Sequence, residues 1–528
     1  MNINEFEELK KELSRENDLP ILLDKIIEQI KTFEKGIPFL KLLRSCKIGD
    51  GIKLVPETAM DFYIQTFSKA VDEGKVIKFV PASGAATRMF KKLLSILNSF
   101  EKVNPDKLKE LSDQGDVESK AALDFFNNID HFAFFEKLKS VVAKSGKNLE
   151  NLITSGDVSE IIRFVTDQIG VGYSNLPKGS ILFHSYPEGA RTAFEEHFVE
   201  GMHYSAGKDK VVKIHFTISP EHENEIKSLF KSIIKKYQQQ GWKSDVSFSF
   251  QNPSTDTISV TNNNKPFRDE DGKIVFRPGG HGALLKNLNE LKSEIITIKN
   301  IDNIVPDHLR DETYKYKKVL GGYLIDLQNK VFYLLSKLEK DIVEPDLINK
   351  TFDFIIKEFE IDLKDRLEGM EAKEKKEYLF RFLNRPFRVC GMVKREAHPG
   401  GSPFWVINEG GEITKQIVET AQVDMLDHKQ NRIFNDGTHF NPVDLVCGVK
   451  DYKGNFFDLE KFSNPDTGLI TKKSKDGKEL KALELPGLWN GGMYYWLTVF
   501  VEVPKITFNP VKEVNDLLKP EHQPPPKK

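Results

Sequence analysis

Apolar positions along the chain switch between two periods. Val76-Ile77-Lys78-Phe79-Val80 runs nearly continuously apolar, as a short buried strand does, and directly after it Met89, Phe90, Leu93, Leu94, Leu97 and Phe100 recur at helical spacing. The small-residue stretch Ala82-Ser83-Gly84-Ala85-Ala86-Thr87-Arg88 therefore joins a strand to a helix, with Thr87 and Arg88 at the helix start. Such a joint aims backbone N–H groups and a positive helix end at one spot, which suits an anion, most often a phosphate. The same alternation continues downstream. Residues 211–218 read as a strand, 221–240 as an amphipathic helix and 246–250 as a second strand, the series expected of a layered α/β sheet. Phe276-Arg277-Pro278-Gly279-Gly280-His281-Gly282 is a second glycine-rich loop running into a helix. Ile295-Ile296-Thr297-Ile298 is a β-branched run typical of a central parallel strand, closed by Lys299-Asn300-Ile301-Asp302-Asn303. Strand character returns at 389–393, 404–407, Ile413, 416–419, 445–449 and 498–503.

Three regions read differently. Residues 1–75 carry helical stripes such as Leu22, Leu23, Ile26, Ile27 and Ile30, and are expected to form a helical N-terminal extension. Residues of about 98–170 and 310–383 are charged and helix-like, and read as two helical insertions in an α/β domain spanning 76–518. Residues 519–528, rich in proline and lysine, read as a disordered tail.

Composition narrows the function classes. The chain has 528 residues, a net charge of −2 and 30% charged residues, so no global basic field argues for nucleic acid. Cys46, Cys390 and Cys447 make neither a metal spacing nor a disulfide framework, which fits a reducing compartment. The N-terminus shows no charged-then-apolar targeting pattern, and no run approaches the ~20 apolar residues of a membrane span. These features predict a soluble cytoplasmic protein with no membrane partner. His398 and His439 lie in polar loops that could border a ligand pocket.

The order of the motifs carries more information than any one of them. Gly84 to Arg88 resembles the glycine-rich nucleotide loop of the sugar-1-phosphate nucleotidyltransferases, usually Gly-x-Gly-Thr-Arg, with Ala85 and Ala86 where that pattern has a glycine next to threonine. Leu176-Pro177-Lys178-Gly179 is similar to the family's Pro-Lys step, Phe250-Gln251-Asn252-Pro253 to its strand-end glutamine, and Pro278-Gly279-Gly280-His281-Gly282 to its Pro-Gly-His-Gly loop. Asn300-Ile301-Asp302-Asn303 resembles the metal-aspartate segment and Gln416-Ile417-Val418-Glu419 the Val-Glu strand. Phe434-Asn435-Asp436-Gly437-Thr438 is similar to the asparagine loop that follows, and Phe508-Asn509-Pro510-Val511-Lys512 to the closing Phe-x-Pro-Val-Lys of the UDP-glucose pyrophosphorylases. The whole chain also resembles an uncharacterised bacterial family known only as a domain of unknown function.

The resemblance implies a nucleotide-diphospho-sugar transferase fold, GT-A-like and Rossmann-like, with a mixed sheet. It implies a Mg2+-dependent transfer in which a nucleoside triphosphate, UTP favoured, joins a sugar-1-phosphate and pyrophosphate leaves. Arg88, Lys178 and Lys512 would be the catalytic cations. Ser83, Gly84, Ala85, Ala86 and Thr87, with Gln251, Gly280, His281 and Gly282, would bind the nucleotide. Asp302 would take the metal, and Glu419, Asn435 and Asn490 would border the sugar. Two other readings remain open at this point: a catalytically inactive nucleotide- or sugar-phosphate-binding regulator, favoured by the two alanines, and a glycosyltransferase using a finished nucleotide-sugar.

Overall fold

A computed structural model describes residues 3–14, 20–340, 345–395, 401–408, 410–475 and 477–525. His398 therefore lies outside the described residues. The chain is mixed α/β with a large, mostly parallel sheet. It divides into two compact units rather than the one domain expected: Met1–Ala70, Gln251–Ile298 and Lys318–Pro504 form the first, and Val71–Phe250, Lys299–Lys317 and Lys505–Lys528 the second.

In the second unit the strands Val76–Pro81, Val211–Ile218 and Lys243–Phe250 are parallel neighbours, with Val80 opposite Phe216 and Phe216 opposite Phe248. Parallel strands need crossovers. The first crossover, between Pro81 and Val211, is long and mostly helical, with five helices between Pro105 and Thr166 followed by Ala193–Tyr204. Its helices are well capped: Asn104, Asp116, Asn148 and Asp157 each accept a backbone N–H at the start of a helix. Their apolar faces, through Leu108, Phe125, Leu138, Ile161 and Phe164, are continuous with the core beneath Val80, Phe90 and Phe216.

The first unit has the strand order Lys47–Ile48, Gly51–Lys53, Leu497–Glu502, Phe387–Lys394, Asp444–Gly448, Ile295–Lys299. Phe387–Lys394 is parallel to Leu497–Glu502 and antiparallel to Asp444–Gly448. A separate sheet places Ser402–Ile407 between Lys41–Ser45 and Ile413–Val418. The four helices between Arg310 and Leu383 include one of 29 residues, Arg310–Leu338.

Two expectations need correction. The segment before residue 75 is not purely helical, because Lys41–Ser45, Lys47–Ile48 and Gly51–Lys53 are strands. Their shortness and the charges within them hide the period-2 pattern. The expected disordered tail is ordered over residues 519–525: Pro520–His522 forms a 3-10 turn, and His522 is buried and stacked on His184. A histidine anchor of this kind leaves no periodicity to read. No helix among the described residues is long and apolar enough to cross a membrane.

Candidate active site

Four segments far apart in sequence meet in the second unit. The strand Val76–Pro81 ends in an open loop, a 3-10 turn at Ala86–Arg88 and the helix Lys91–Ser99. The loop is held from several sides. The Ala82 N–H donates to Thr217 O at 2.9 Å, the Ser219 hydroxyl to Ser83 O at 2.8 Å, and the Lys178 N–H to Gly84 O at 3.3 Å. Two residues expected to grip a nucleotide instead hold the loop itself. Ala86 is fully buried with its N–H donated to Leu176 O at 3.0 Å, and the Thr87 hydroxyl donates to Ser174 O at 2.9 Å. The exposed face is made by Gly84 and Ala85. A Cβ on Gly84 would meet nothing within 4 Å, so the side of the loop that a ligand would approach is clear. Arg88 is exposed and its guanidinium has no partner among the described residues.

Lys178 opens a 3-10 turn after Pro177, whose ring fixes the approach at φ −64°. Its ammonium donates to Asp302 Oδ2 at 3.0 Å and to Val511 O at 3.0 Å. The pair is mostly but not fully covered, at 14% and 21% side-chain exposure, so added ligand oxygens can reach it. The turn is packed tightly from below. A Cβ on Gly179 would fall 2.4 Å from the Phe194 ring. Gly179→Ala is accordingly expected to cost about 1–3 kcal/mol through overpacking and to move the Lys178 backbone. Chemical denaturation checks this, and an unchanged midpoint would show that the ring simply turns aside.

Asp302 follows the strand Ile295–Lys299, and its own carbonyl accepts the Val511 N–H at 3.0 Å. Asn303, buried beside it, accepts the Asn509 N–H at 3.0 Å and donates to Thr507 O at 3.3 Å. The segment 507–511 is thereby clamped onto the aspartate turn, and Lys512 is the next residue. Its side chain is exposed and free among the described residues, while its N–H donates to Asp516 Oδ2 at 2.8 Å.

Beneath these segments lies a buried charge network on the helix Ala193–Tyr204. Glu200 is held by Lys78 at 3.0 Å, Lys299 at 2.8 Å and the Tyr204 hydroxyl at 2.7 Å. Burial works against its charge, but the two ammoniums outweigh that and hold its carboxyl well below the usual range. One turn earlier Glu196 accepts from His184 and from the Tyr186 hydroxyl, both at 2.7 Å, and is ion-paired with Arg310. Burial raises its pKa, and the Arg310 charge and His184 overcome this to hold it at about 2. Between the two, the His197 Nε2–H donates to Ile301 O at 3.1 Å. The aspartate turn is thus pinned at Lys299, Ile301 and Arg310 by one helix. None of this network was among the residues expected from sequence. The readable signal was a lysine inside an otherwise apolar strand, Lys78, together with glutamates at 196 and 200, one helical turn apart.

In the first unit a second cluster forms around His281. Its ring stacks on Trp489 at 4.3 Å, and the Leu488 N–H donates to Nδ1 at 3.1 Å. Nδ1 is then the acceptor, which places the proton of the neutral ring on Nε2. Burial pushes its pKa down to about 4, so it stays neutral near pH 7. The glycines around it are required by close approach: a Cβ on Gly282 would meet Pro486 O at 2.3 Å, and Gly280 has φ +72°. Asn490 donates to Glu419 Oε1 at 3.0 Å, and burial raises the Glu419 carboxyl. Three groups expected to meet ligand therefore share one place. One buried atom there, Asn490 Oδ1, has no hydrogen-bond partner among the described residues, and elsewhere in the unit the buried Gln251 Nε2 has none either. Asn435 does not join them. It ends the helix His428–Asn435 instead of lying in a loop, and its amide donates to Asn431 at 2.6 Å. His439 is buried.

Among the described residues no group of three His, Cys, Asp or Glu side chains forms a ready cage for a metal. Asp302 offers one hard carboxylate at an accessible place. That suits Mg2+, which takes its remaining ligands from phosphate oxygens and water.

Residues 9–523 match the family described as a domain of unknown function, DUF4301. The chain belongs to that family. Among solved structures, the DUF4301 chain is similar to the UDP-N-acetylglucosamine pyrophosphorylase of Trypanosoma brucei, with a TM-score of 0.46 and 12% identity, over 93% of this chain and 74% of that one. It is also similar to the UDP-glucose pyrophosphorylase of Leishmania major, with a TM-score of 0.43 and 13% identity, over 94% and 74%. No curated protein matches it in sequence.

Proposed function

We propose that this DUF4301 protein is a sugar-1-phosphate nucleotidyltransferase, with a uridine nucleotide as the favoured substrate. The observation that carries the reading is the Lys178–Asp302 pair at 3.0 Å, beside the open loop at Gly84 and beneath the 507–512 segment. Motifs flagged separately, and in family order along the chain, converge there.

The reaction is attack of a sugar-1-phosphate oxygen on the α-phosphorus of the triphosphate, breaking the bond to the β-phosphate oxygen and releasing pyrophosphate. Such transfers depend on alignment and charge neutralisation more than on covalent participation. Lys178, fixed by two acceptors, presents an oriented ammonium to the reacting phosphate. The unpaired Arg88 and Lys512 side chains supply mobile positive charge for phosphate oxygens. Asp302 would give Mg2+ one oxygen, and the ion would add charge neutralisation to the bound phosphates.

A matrix of nucleoside triphosphates against sugar-1-phosphates, with Mg2+ and read by pyrophosphate release, tests the proposal. Release with a defined pair is the expected result. Thermal stabilisation by UTP and Mg2+ with no release from any pair would replace the transferase reading with that of a silent binder. A ligand at ~100 times its dissociation constant adds about 2.7 kcal/mol, which such a measurement resolves.

A further inference from the structure

A second cavity, of about 420 Å³, lies in the first unit and is lined by none of the residues assigned above. Its volume is about twice the about 200 Å³ of the space beside Arg88. The helix residue Phe382, Arg385 just beyond the helix end, the preceding Leu363 and the hairpin residue Ile413 border it.

Three arginines reach this cavity, and only two are satisfied. Arg44 is bonded to Asp50 at 2.7 and 2.9 Å. Arg366 faces Glu412 at 3.6 Å. The half-buried Arg385 guanidinium has neither an ion pair nor a hydrogen bond among the described residues. Its neighbour is the Phe382 ring, 5.2 Å from the guanidinium carbon. Burial lowers its pKa from the usual value, and the Glu412 charge offsets that only in part. An arginine so placed is costly to fold unless something completes it.

Three of the four carboxylates bordering the cavity have hydrogen-bond partners other than Arg385. Glu360 holds Lys415 at 3.1 Å, Glu412 accepts from the Asn408 amide at 3.1 Å, and Asp362 accepts the Lys364 N–H at 2.8 Å. Asp365 is exposed, where water and salt screen it. Arg385 is therefore the forked donor on this cavity left without a hydrogen bond among the described residues, and it lies beside an apolar wall.

We propose that this cavity binds a small organic anion. Arg385 meets its phosphate or carboxylate through two parallel N–H donors, and Phe382, Leu363 and Ile413 cover its apolar body. This site is independent of the transferase reading and stands or falls on its own.

Methyl NMR of the full chain, labelled at isoleucine, tests it with phenyl phosphate and benzoate as probes. Saturable shifts are expected at the Ile361 and Ile413 methyls, both on the cavity. Arg385→Gln should weaken binding at least tenfold. Arg385→Lys, which keeps the charge and loses the fork, should bind with intermediate affinity. Unchanged Ile258 resonances would establish that the unit is intact in each variant. The probe with the lower dissociation constant identifies the head group. Absence of shifts with both probes, or equal affinity in wild type and Arg385→Gln, overturns the proposal.

Discussion

Lys178→Ala is expected to slow pyrophosphate release by about 10²–10³-fold, the loss of about 2.7–4 kcal/mol that follows removal of a preorganised charged donor from a reacting phosphate. The effect should fall mainly on kcat, because Arg88, Lys512 and the loop N–H groups remain to bind the triphosphate. The protein should stay folded. Lys178 and Asp302 are partly exposed, so water can rehydrate the released carboxylate, and a part-exposed ion pair contributes little to stability. Lys178→Arg should rescue poorly. Its fork cannot reproduce a compact ammonium shared between the Asp302 carboxylate and the Val511 carbonyl. Measurements of kcat and KM with the best pair from the substrate matrix, alongside circular dichroism, decide the matter. A variant with wild-type kcat would remove Lys178 from the reacting centre. A rise in KM alone would make it a binding group only.

How far the sequence could be read depends on which physical signal each part leaves. The sheet strands were legible because β-branched and aromatic runs such as Val211–Ile218 and Ile295–Lys299 are largely buried and mostly apolar. The helices were legible from apolar periodicity. Lys178 and Asp302 were legible because proline, glycine and turn residues isolate each of them in a strand-end loop. Other features depend on contacts between distant residues, which no local pattern encodes. The Thr87 hydroxyl could not be seen to point back at Ser174, nor the Ala86 N–H to be donated to Leu176. The chain's split into two units was invisible for a related reason. Each unit is assembled from three separate stretches, and the boundaries at Phe250–Gln251 and Ile298–Lys299 fall at the ends of strands, not in linkers. Asn435 was misplaced because Phe434-Asn435-Asp436-Gly437 has the composition of a turn, while the Asp427 cap and the Gln430 and Phe434 contacts carry the helix to Asn435.

The buried network was the largest omission, and it carries the largest expected effect on folding. Glu200→Gln keeps the shape of the side chain but leaves the Lys78 and Lys299 ammoniums without a counter-charge in a region with no water access. Breaking a buried pair from one side typically costs about 3–5 kcal/mol, and that loss is expected here. The pH dependence identifies the cause. In the wild type, Glu196 at about 2 and Glu200 well below its usual value are both depressed carboxylates. Their stabilisation is complete above the unfolded carboxylate value of about 4.3 and is lost as pH falls toward 2. Burial already lowers Lys78 to about 7 in the wild type, and a lysine depressed in the folded state makes stability rise with pH between its folded and unfolded values. Without Glu200 both lysines face this penalty uncompensated, so the variant should regain stability between pH 7 and 9 more steeply than the wild type. Urea unfolding, read by hydrogen exchange of the strand Val76–Pro81, reports on the second unit directly. A cost below about 1 kcal/mol, or equal slopes for the two proteins between pH 7 and 9, would show that Glu200 is not what holds these charges together. The same outcome would remove the helix Ala193–Tyr204 as the support of the aspartate turn, leaving the clamp from Asn303 and Val511 to position Asp302.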